Sequence, residues 1–359
     1  MRVLHFSITP LAGMPIRLVQ ALNRHTGVSA NLVDLKRHGL YDHDLVFEEN
    51  PDQALDLAQK ADVIHLHNYL DYQSKHFAPI DFAALKHQGK AIVRQFHTEP
   101  NFVAAKMGLS PEALLAQDIP CLAVAQHPER LYPKAMVVPN FVPENQPAYQ
   151  PQDAPTKWDV FFGPTMYLSA WEDRWNTKAV PEVKAVLDDL AARTGCRVRP
   201  IEYRPLPEIL REKQASRIVV DDLVTGSYHL TGLEALSQAK PVLAYLDNRT
   251  QDMIRHFSQV PDLPFLNIRL EDAREVLEHL VADPLLCQEI GAYGRDWLTR
   301  HWPEKLMIGH YLRAYELLLE DPSLVRRQPE LSLHSPAKYF LAKTLPDLIY
   351  QARRKAVLG

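Results

Sequence analysis

The sequence predicts an α/β protein built from two doubly wound domains that face each other across a cleft. Three observations predict it. The chain has 359 residues, more than one ordinary core holds and enough for two domains of roughly 150 residues each. Short runs rich in Val, Ile and Leu alternate with longer stretches of helical spacing, the rhythm of parallel sheets covered by helices on both faces. That rhythm stops once, where Pro139, Pro143, Pro147, Pro151 and Pro155 break any regular element, and then restarts.

In the first half, strands are expected at 2–8, 30–35, 62–66, 91–96, 121–125 and 135–138. Helices are expected at 17–24, 52–60, 82–87 and 111–115. In the second half, strands are expected at 159–162, 197–201, 217–220 and 242–245, with helices at 181–193, 206–214, 230–239, 273–282, 284–297 and 303–319. The helix over 181–193 has its apolar face in Val183, Val186, Leu187 and Leu190, the spacing of one helical stripe. The predicted boundaries are a domain over 1–145, a Pro-rich linker over 146–157, a domain over 158–302, a helix over 303–320 and a basic amphipathic tail over 321–359.

Composition narrows the function. A net charge of −4 does not suit an electrostatic nucleic-acid binder, and no nucleic-acid partner is expected. The three cysteines, Cys121, Cys196 and Cys287, are far apart, which argues against a disulfide framework or a zinc site and for a reducing compartment. No G-x-G-x-x-G, G-x-x-x-x-G-K-[ST] or H-E-x-x-H occurs, so nicotinamide enzymes, P-loop NTPases and zincins are disfavoured. The chain enters a strand pattern at once and has no apolar run of membrane-spanning length, so a cytoplasmic location is expected. Ligands of doubly wound sheets lie beyond the carboxyl ends of the strands, which directs attention to the loops there.

The segment over 221–246 carries the most specific pattern. It has a glycine-containing loop over 226–231, a helix start at Thr231 and Gly232, the pair Glu234-Ala235 one turn in, and the step Ala239-Lys240-Pro241-Val242 into the next strand. A helix N-terminus favours an anion, a glycine there permits close backbone approach, and a carboxylate one turn in suits paired hydroxyls. The bland alternative makes Glu234 a solvated helix glutamate and Thr231 an N-cap. This segment resembles the donor-binding signature of GT-B glycosyltransferases, above all the retaining family 4.

That resemblance implies two Rossmann-like domains, the first on the acceptor side and the second holding a nucleotide-sugar donor, with the helix over 303–320 crossing back to the first. It implies sugar transfer with retention, no cofactor and no required metal, as in polysaccharide biosynthesis. Lys178 and Arg174 would grip the diphosphate, although on bare statistics they are a surface pair at i,i+4 spacing. Thr231, Gly232 and Glu234 would bind the donor together with Ser227 and Tyr228 of the loop. Gly13, in the loop after the first strand, would lie against the donor phosphates. His97 would project into the active site from the end of its strand, with His67, Asn68 and Glu99 on the cleft rim. Many relatives carry an acid where this chain has Gly226; Asp221, Asp222 or the Ser227 hydroxyl could substitute.

Two other functions stay open: an NDP-sugar 2-epimerase of the same fold, and a non-catalytic subunit that binds a nucleotide sugar or a glycan. The acceptor is expected to be a glycan or a lipid-linked sugar. The tail interleaves Arg326, Arg327, Lys338, Lys343, Arg353, Arg354 and Lys355 with Tyr339, Phe340, Leu341, Leu345, Leu348, Ile349 and Tyr350, against Glu330 and Asp347. Such a segment can lie on an anionic membrane face, which would place the protein peripherally on the inner membrane face, or it can pack on the protein's own surface.

Overall fold

The computed structural model describes residues 1–164, 167–175, 177–326, 337 and 340–358. Arg327, Glu330, Lys338 and Tyr339, named above, lie outside the described residues. The chain divides into two compact units. The first comprises Met1–Asn140 and the helix Glu304–Glu320; the second comprises Phe141–Pro303 and the tail helix Leu345–Leu358.

The first unit runs β1 (Arg2–Ser7), α1 (Met14–His25), β2 (Ser29–Asp34), β3 (Leu45–Val46), α2 (Pro51–Lys60), β4 (Val63–His67), α3 (Phe82–His87), β5 (Ala91–Phe96), α4 (Pro100–Met107), α5 (Pro111–Ala116), β6 (Cys121–Val124) and β7 (Met136–Val138). All seven strands are parallel, in the order β3-β2-β1-β4-β5-β6-β7. β1 therefore sits between β2 and β4, the point where the strand order reverses and the following loops diverge. Both faces are covered, so the strands are largely buried and rich in Val, Leu and Ile, with His5, His65, His67, Arg94 and Gln95 as buried polar exceptions. α1 starts at Gly13, whose φ of 76° is left-handed, and buries Ile16, Leu18, Val19 and Leu22.

The second unit runs β8 (Trp158–Phe162), α6 (Val180–Thr194), α7 (Leu206–Gln214), β9 (Ser216–Val220), α8 (Leu230–Ser237), β10 (Val242–Ala244), α9 (Asn248–Ser258), β11 (Leu266–Asn267), α10 (Ala273–Ala282) and α11 (Pro284–His301). Its four strands are parallel in the order β11-β10-β9-β8. The strand expected at 197–201 is reduced to one bridge, Val160 to Val198, because Pro200 brings no N–H to continue the ladder. Within the Pro-rich segment, Tyr149 is buried, and the Ala148, Tyr149 and Gln150 carbonyls accept hydrogen bonds from Gln214, Ser237 and Gln238. Prolines break regular elements there, but one tyrosine anchor docks the segment on α7 and α8.

The helix Glu304–Glu320 (α12) belongs to the first unit. Met307, Ile308, Tyr311, Ala314, Tyr315 and Leu318 form its buried stripe. Glu304 fixes its start: it accepts two bonds from Arg24, at 2.9 and 3.1 Å, and pairs with His25 at 2.7 Å. No helix among the described residues is long and apolar enough to cross a membrane.

α11 packs on the end of α8 through glycine. A Cβ on Gly291 would stand 2.0 Å from the Ala239 carbonyl oxygen, whereas one on Gly309 of α12 meets open space. Gly291→Ala is therefore expected to cost about 2 kcal/mol or more through overpacking against backbone, and Gly309→Ala to stabilise by about 0.5–1 kcal/mol through helix propensity. Urea midpoints check both; equal midpoints for the two variants would rule out a tight α8–α11 contact.

Candidate functional site

In the first unit, the carboxyl halves of β1, β4 and β5 bring four histidines together. His5 and His65 are register partners on adjacent strands and share a face of the sheet with His67, two residues along from His65. Their rings stack at 4.5 Å for His5–His65 and for His65–His67. His5 Nδ1 and His67 Nε2 are 3.1 Å apart, and His67 Nδ1 and His97 Nε2 are 3.0 Å apart. α12 covers the group, with the Tyr315 hydroxyl 2.8 Å from His65 Nδ1 and 3.5 Å from His5 Nε2. Burial pushes His5, His65 and His67 well below the ordinary imidazole value and His97 down to about 3. All four are neutral imidazoles near pH 7.

This geometry corrects the expected rim. His67 and Asn68 are 0 % exposed and Glu99 is nearly as deep; of the candidates on these strands, His97 alone is half-buried. Asn68 has a left-handed φ of 47°, and its side-chain oxygen accepts the His97 N–H at 2.7 Å. It holds His97 in place from beneath. Gly13 is corrected as well: a Cβ there would stand 2.4 Å from the Tyr41 ring, so the space that the glycine frees is taken by Tyr41.

Sequence reasoning missed His5 and His65, which read as ordinary strand residues, and a second group on the loop before β3. There His43 Nδ1 lies 2.9 Å from the Asp34 carboxylate, and its ring packs 4.0 Å from that of His38. Both groups, His5–His65–His67 and Asp34–His38–His43, place ligand-type atoms within 4.8 Å of one another. In the first, the stacked rings set their nitrogens in hydrogen bonds to one another and to Tyr315, instead of converging on one point as metal ligation needs.

In the second unit, chemistry gathers at the carboxyl end of β9. Asp221, completely buried, accepts the Lys178 Nζ at 2.5 Å and the His229 N–H at 2.7 Å. Burial pushes its carboxyl up, but Lys178 and His229 outweigh this and hold it well below the usual carboxylate range. A Cβ on Gly232, in the first turn of α8, would stand 2.6 Å from Asp221 Oδ2. The anionic position at this helix start is thus filled by the protein's own carboxylate, and the close approach expected of a phosphate at Gly232 is made by Asp221.

The other candidates take distinct places. Thr231 is the second residue of α8 and half-buried. Glu234 is not a solvated helix residue: it is 4 % exposed and ion-paired with the buried Lys213. Ser227 and Tyr228 are buried, and Tyr228 packs against Phe265 and Trp302; the tyrosine is core, which corrects its expected place on a donor surface. Lys178 and Arg174 are not a helical surface pair. They lie in the loop before α6, and while Lys178 goes to Asp221, Arg174 Nη1 donates to the Thr225 carbonyl at 2.6 Å. The Arg174 guanidinium also lies 4.0 Å from the Trp175 ring.

At Gly226, φ is 84° and a Cβ would stand 2.9 Å from Asp247 Oδ2. The Asp247 carboxylate thus takes the space that a side chain at 226 would fill, a residue that sequence spacing alone did not single out. Asp247, Arg174 and Thr225 line a cavity of about 620 Å³ closed on one side by Leu345, Ile349 and Tyr350 of the tail helix. Tyr350 stacks on Trp171, and Arg353 bonds Glu271 at 3.0 Å.

No family profile and no curated protein sequence matches the chain. Solved structures do match it. A glycosyltransferase from Rickettsia africae ESF-5 is 11% identical, with 89% of this chain and 99% of that one covered and a TM-score of 0.55. An alpha-glucosyltransferase in complex with UDP and a 13-mer DNA containing an HMU base is 10% identical over the same shares, with a TM-score of 0.57. Anabaena Alr3699/HepE in complex with UDP-glucose is 11% identical over 88% of this chain and 99% of that one, with a TM-score of 0.56. These likenesses establish the fold: two Rossmann-like α/β units of the GT-B type.

The buried histidines set an acid limit on stability. Below the ordinary value of 6.5 the unfolded chain binds protons at these imidazoles, while the folded chain, with lowered values, does not. Their contribution is complete above that value and is lost as pH falls below it, by up to about 1.4 kcal/mol per pH unit for each histidine. Asp34, raised by burial to about 6, runs the other way, one group against four. Urea midpoints are expected to drop steadily from about pH 7.5 to about pH 5; a flat profile would mean that the histidines are charged or solvated in the folded chain.

Proposed function

We propose that the chain is a glycosyltransferase that moves a sugar from a nucleoside-diphosphate sugar to a glycan or lipid-linked acceptor. One observation carries this reading. Lys178, the start of α8 and Gly232 converge on a single anionic position at the carboxyl end of β9, in a fold shared with an alpha-glucosyltransferase solved with UDP and with a protein solved with UDP-glucose. Asp221 fills that position here. A diphosphate presents charge of the same sign to Lys178, so donor binding is an exchange in which Lys178 Nζ turns from Asp221 to a phosphate oxygen.

In the transfer, the bond between the anomeric carbon and the diphosphate oxygen breaks, and its electron pair leaves with the diphosphate. The acceptor oxygen bonds to the anomeric carbon and gives its proton to the departing diphosphate. Lys178 and Arg174 stabilise the charge developing there, which removes the need for a metal in this reading, and the resemblance to family 4 favours retention. Thr231, half-buried at the start of α8, serves the diphosphate, and Glu234, fixed by Lys213, serves the ribose hydroxyls. Asp247 supplies the acid missing at Gly226. His97 faces a sugar or acceptor hydroxyl from the first unit.

A cytoplasmic, membrane-peripheral setting fits the tail helix. Leu348, Ile349 and Val357 are exposed beside the exposed Arg353, Arg354 and Lys355, the make-up of a helix that lies on an anionic lipid face. A second reading, a subunit that binds the nucleotide sugar without catalysis, is kept by Gly226 alone. The epimerase alternative draws no support from the structures compared.

Donor binding is tested first, by thermal shift against UDP, GDP, ADP and CDP with and without attached sugars; a nucleotide at about a hundred times its Kd adds about 2.7 kcal/mol. Transfer is then tested with two variants. Lys178→Ala leaves Asp221 buried without its cation and is expected to cost about 3–5 kcal/mol in stability. The double variant Lys178→Met/Asp221→Asn removes both charges, is expected to fold, and should lose at least about 100-fold in turnover. Undiminished turnover in the double variant would overturn the role given to Lys178. Saturable donor binding without transfer to any acceptor would favour the non-catalytic reading.

A further inference from the structure

The histidine group of the first unit forms a hydrogen-bonded chain with a definite sense, and the sense is set at its far end. The Tyr311 hydroxyl lies 3.0 Å from the Pro139 carbonyl oxygen. A carbonyl only accepts, so the Tyr311 proton is committed to it. Tyr311 can then receive but not give toward Gln95, whose side-chain amide nitrogen is 3.2 Å away. The Gln95 amide must present its NH2 to Tyr311, and its oxygen is left as an acceptor. Two buried atoms of this group lack a partner among the described residues, Gln95 Oε1 and His65 Nε2. They belong to neighbouring side chains: Gln95 is the register partner of His67 on β5 and so stands diagonally from His65 on the same face of the sheet. Completing that pair satisfies both atoms and makes His65 Nε2 a donor.

A neutral imidazole has one donor and one acceptor nitrogen, so each link dictates the next. His65 Nδ1 accepts from the Tyr315 hydroxyl at 2.8 Å. The Tyr315 oxygen accepts from His5 Nε2, the longest link at 3.5 Å. His5 Nδ1 accepts from His67 Nε2 at 3.1 Å, and His67 Nδ1 accepts from His97 Nε2 at 3.0 Å. At the near end, His97 Nδ1 has no hydrogen-bond partner among the described residues and, unlike His65 Nε2, is not sealed from solvent. With Asn68 fixing the His97 backbone, ring position and proton position are both determined.

We propose that the chain Pro139–Tyr311–Gln95–His65–Tyr315–His5–His67 is a positioning device that holds His97 as its Nε2–H tautomer and presents Nδ1 as an acceptor for the hydroxyl of a bound ligand. That the hydroxyl belongs to a sugar or a sugar acceptor rests on the transferase reading; the tautomer does not. The device sets direction and does not store a proton. A net charge would have to sit among rings that burial keeps neutral, whereas reversing every link would need the Pro139 carbonyl to donate, which it cannot. Each tyrosine and histidine in the chain is thereby assigned a role that simple core packing does not require.

The experiment reads the tautomers directly in the full chain. Long-range 1H–15N correlation on 15N-histidine-labelled protein at about pH 7.5 separates Nε2–H from Nδ1–H rings. The expected result is Nε2–H for His5, His65, His67 and His97 alike. A His97 that carries its proton on Nδ1, or a member of opposite tautomer, overturns the proposal. Tyr311→Phe frees the Gln95 amide to turn over, so His97 is expected to become a mixture of comparable tautomer populations while the fold persists. A His97 still wholly Nε2–H in that variant also overturns it. If Tyr311→Phe does not fold, Tyr315→Phe cuts the same chain between His5 and His65 and carries the same expectation. The expected tautomers in a protein that transfers no sugar would leave this inference standing and count against the transferase reading, and active transfer with the wrong tautomer would do the reverse.

Discussion

Every polar group enclosed by this fold must find a partner inside it, and that constraint organises both units. A parallel sheet covered on both faces has little room for polar chemistry except at its carboxyl edge. This chain places polar side chains deeper than that edge. His5 and His65 lie within β1 and β4, Asp221 directly follows β9, and Glu234 lies inside α8. None is tolerable alone at such depth. The histidines are satisfied by one another and by Tyr315 of α12. The carboxylates are satisfied by Lys178 and Lys213. α12 is more than a lid on apolar surface, because its two tyrosines complete a polar network that the strands begin.

The two units meet the constraint by different means, with different consequences. The neutral network of the first unit carries no net charge, so its cost of burial is modest and its information lies in direction. The second unit buries charges, and a buried ion pair is seldom a net source of stability compared with apolar packing. What it fixes is position. Asp221 holds Lys178 at a defined point, and the loop before α6 returns Arg174 to the Thr225 carbonyl on the same edge of the sheet. A cation kept paired in this way is pre-oriented without being left exposed to water.

Much of the fold was legible in the sequence, because periodicity reports burial and burial reports the sheet. α3 and β5 fall at the expected residues, and the stripe Val183, Leu187 and Leu190 of α6 is buried as its spacing implies. What escaped has physical reasons. β3 and β11 are two residues long and leave no period to read. α9 is a largely polar helix that the sequence reading did not mark, although Asp247 caps it by accepting the Thr250 N–H at 2.9 Å. The segment at 197–201 had strand composition, but Pro200 denied it a ladder. Side-chain partners were the least legible feature, since Lys178–Asp221 and Lys213–Glu234 join residues 43 and 21 positions apart. Motif reasoning assigned Tyr228 to a surface, where it is core, because a loop position carries no period from which burial can be read.

Gly226 shows how one glycine fixes the geometry of a neighbouring helix start. With φ at 84°, this residue occupies a backbone region that favours glycine, and a larger side chain would run into Asp247. The Thr250 hydroxyl donates to the Gly226 carbonyl at 2.7 Å, and the Asp247 N–H donates to it at 3.1 Å. The start of α9 is therefore latched to this loop, and the latch carries a carboxylate to the point that a side chain at 226 would otherwise fill. A glutamate placed at 226 would set two carboxylates against each other at a backbone position that favours glycine. Residues 226 and 247 are therefore one structural unit, in which the glycine makes room for the cap of the next helix.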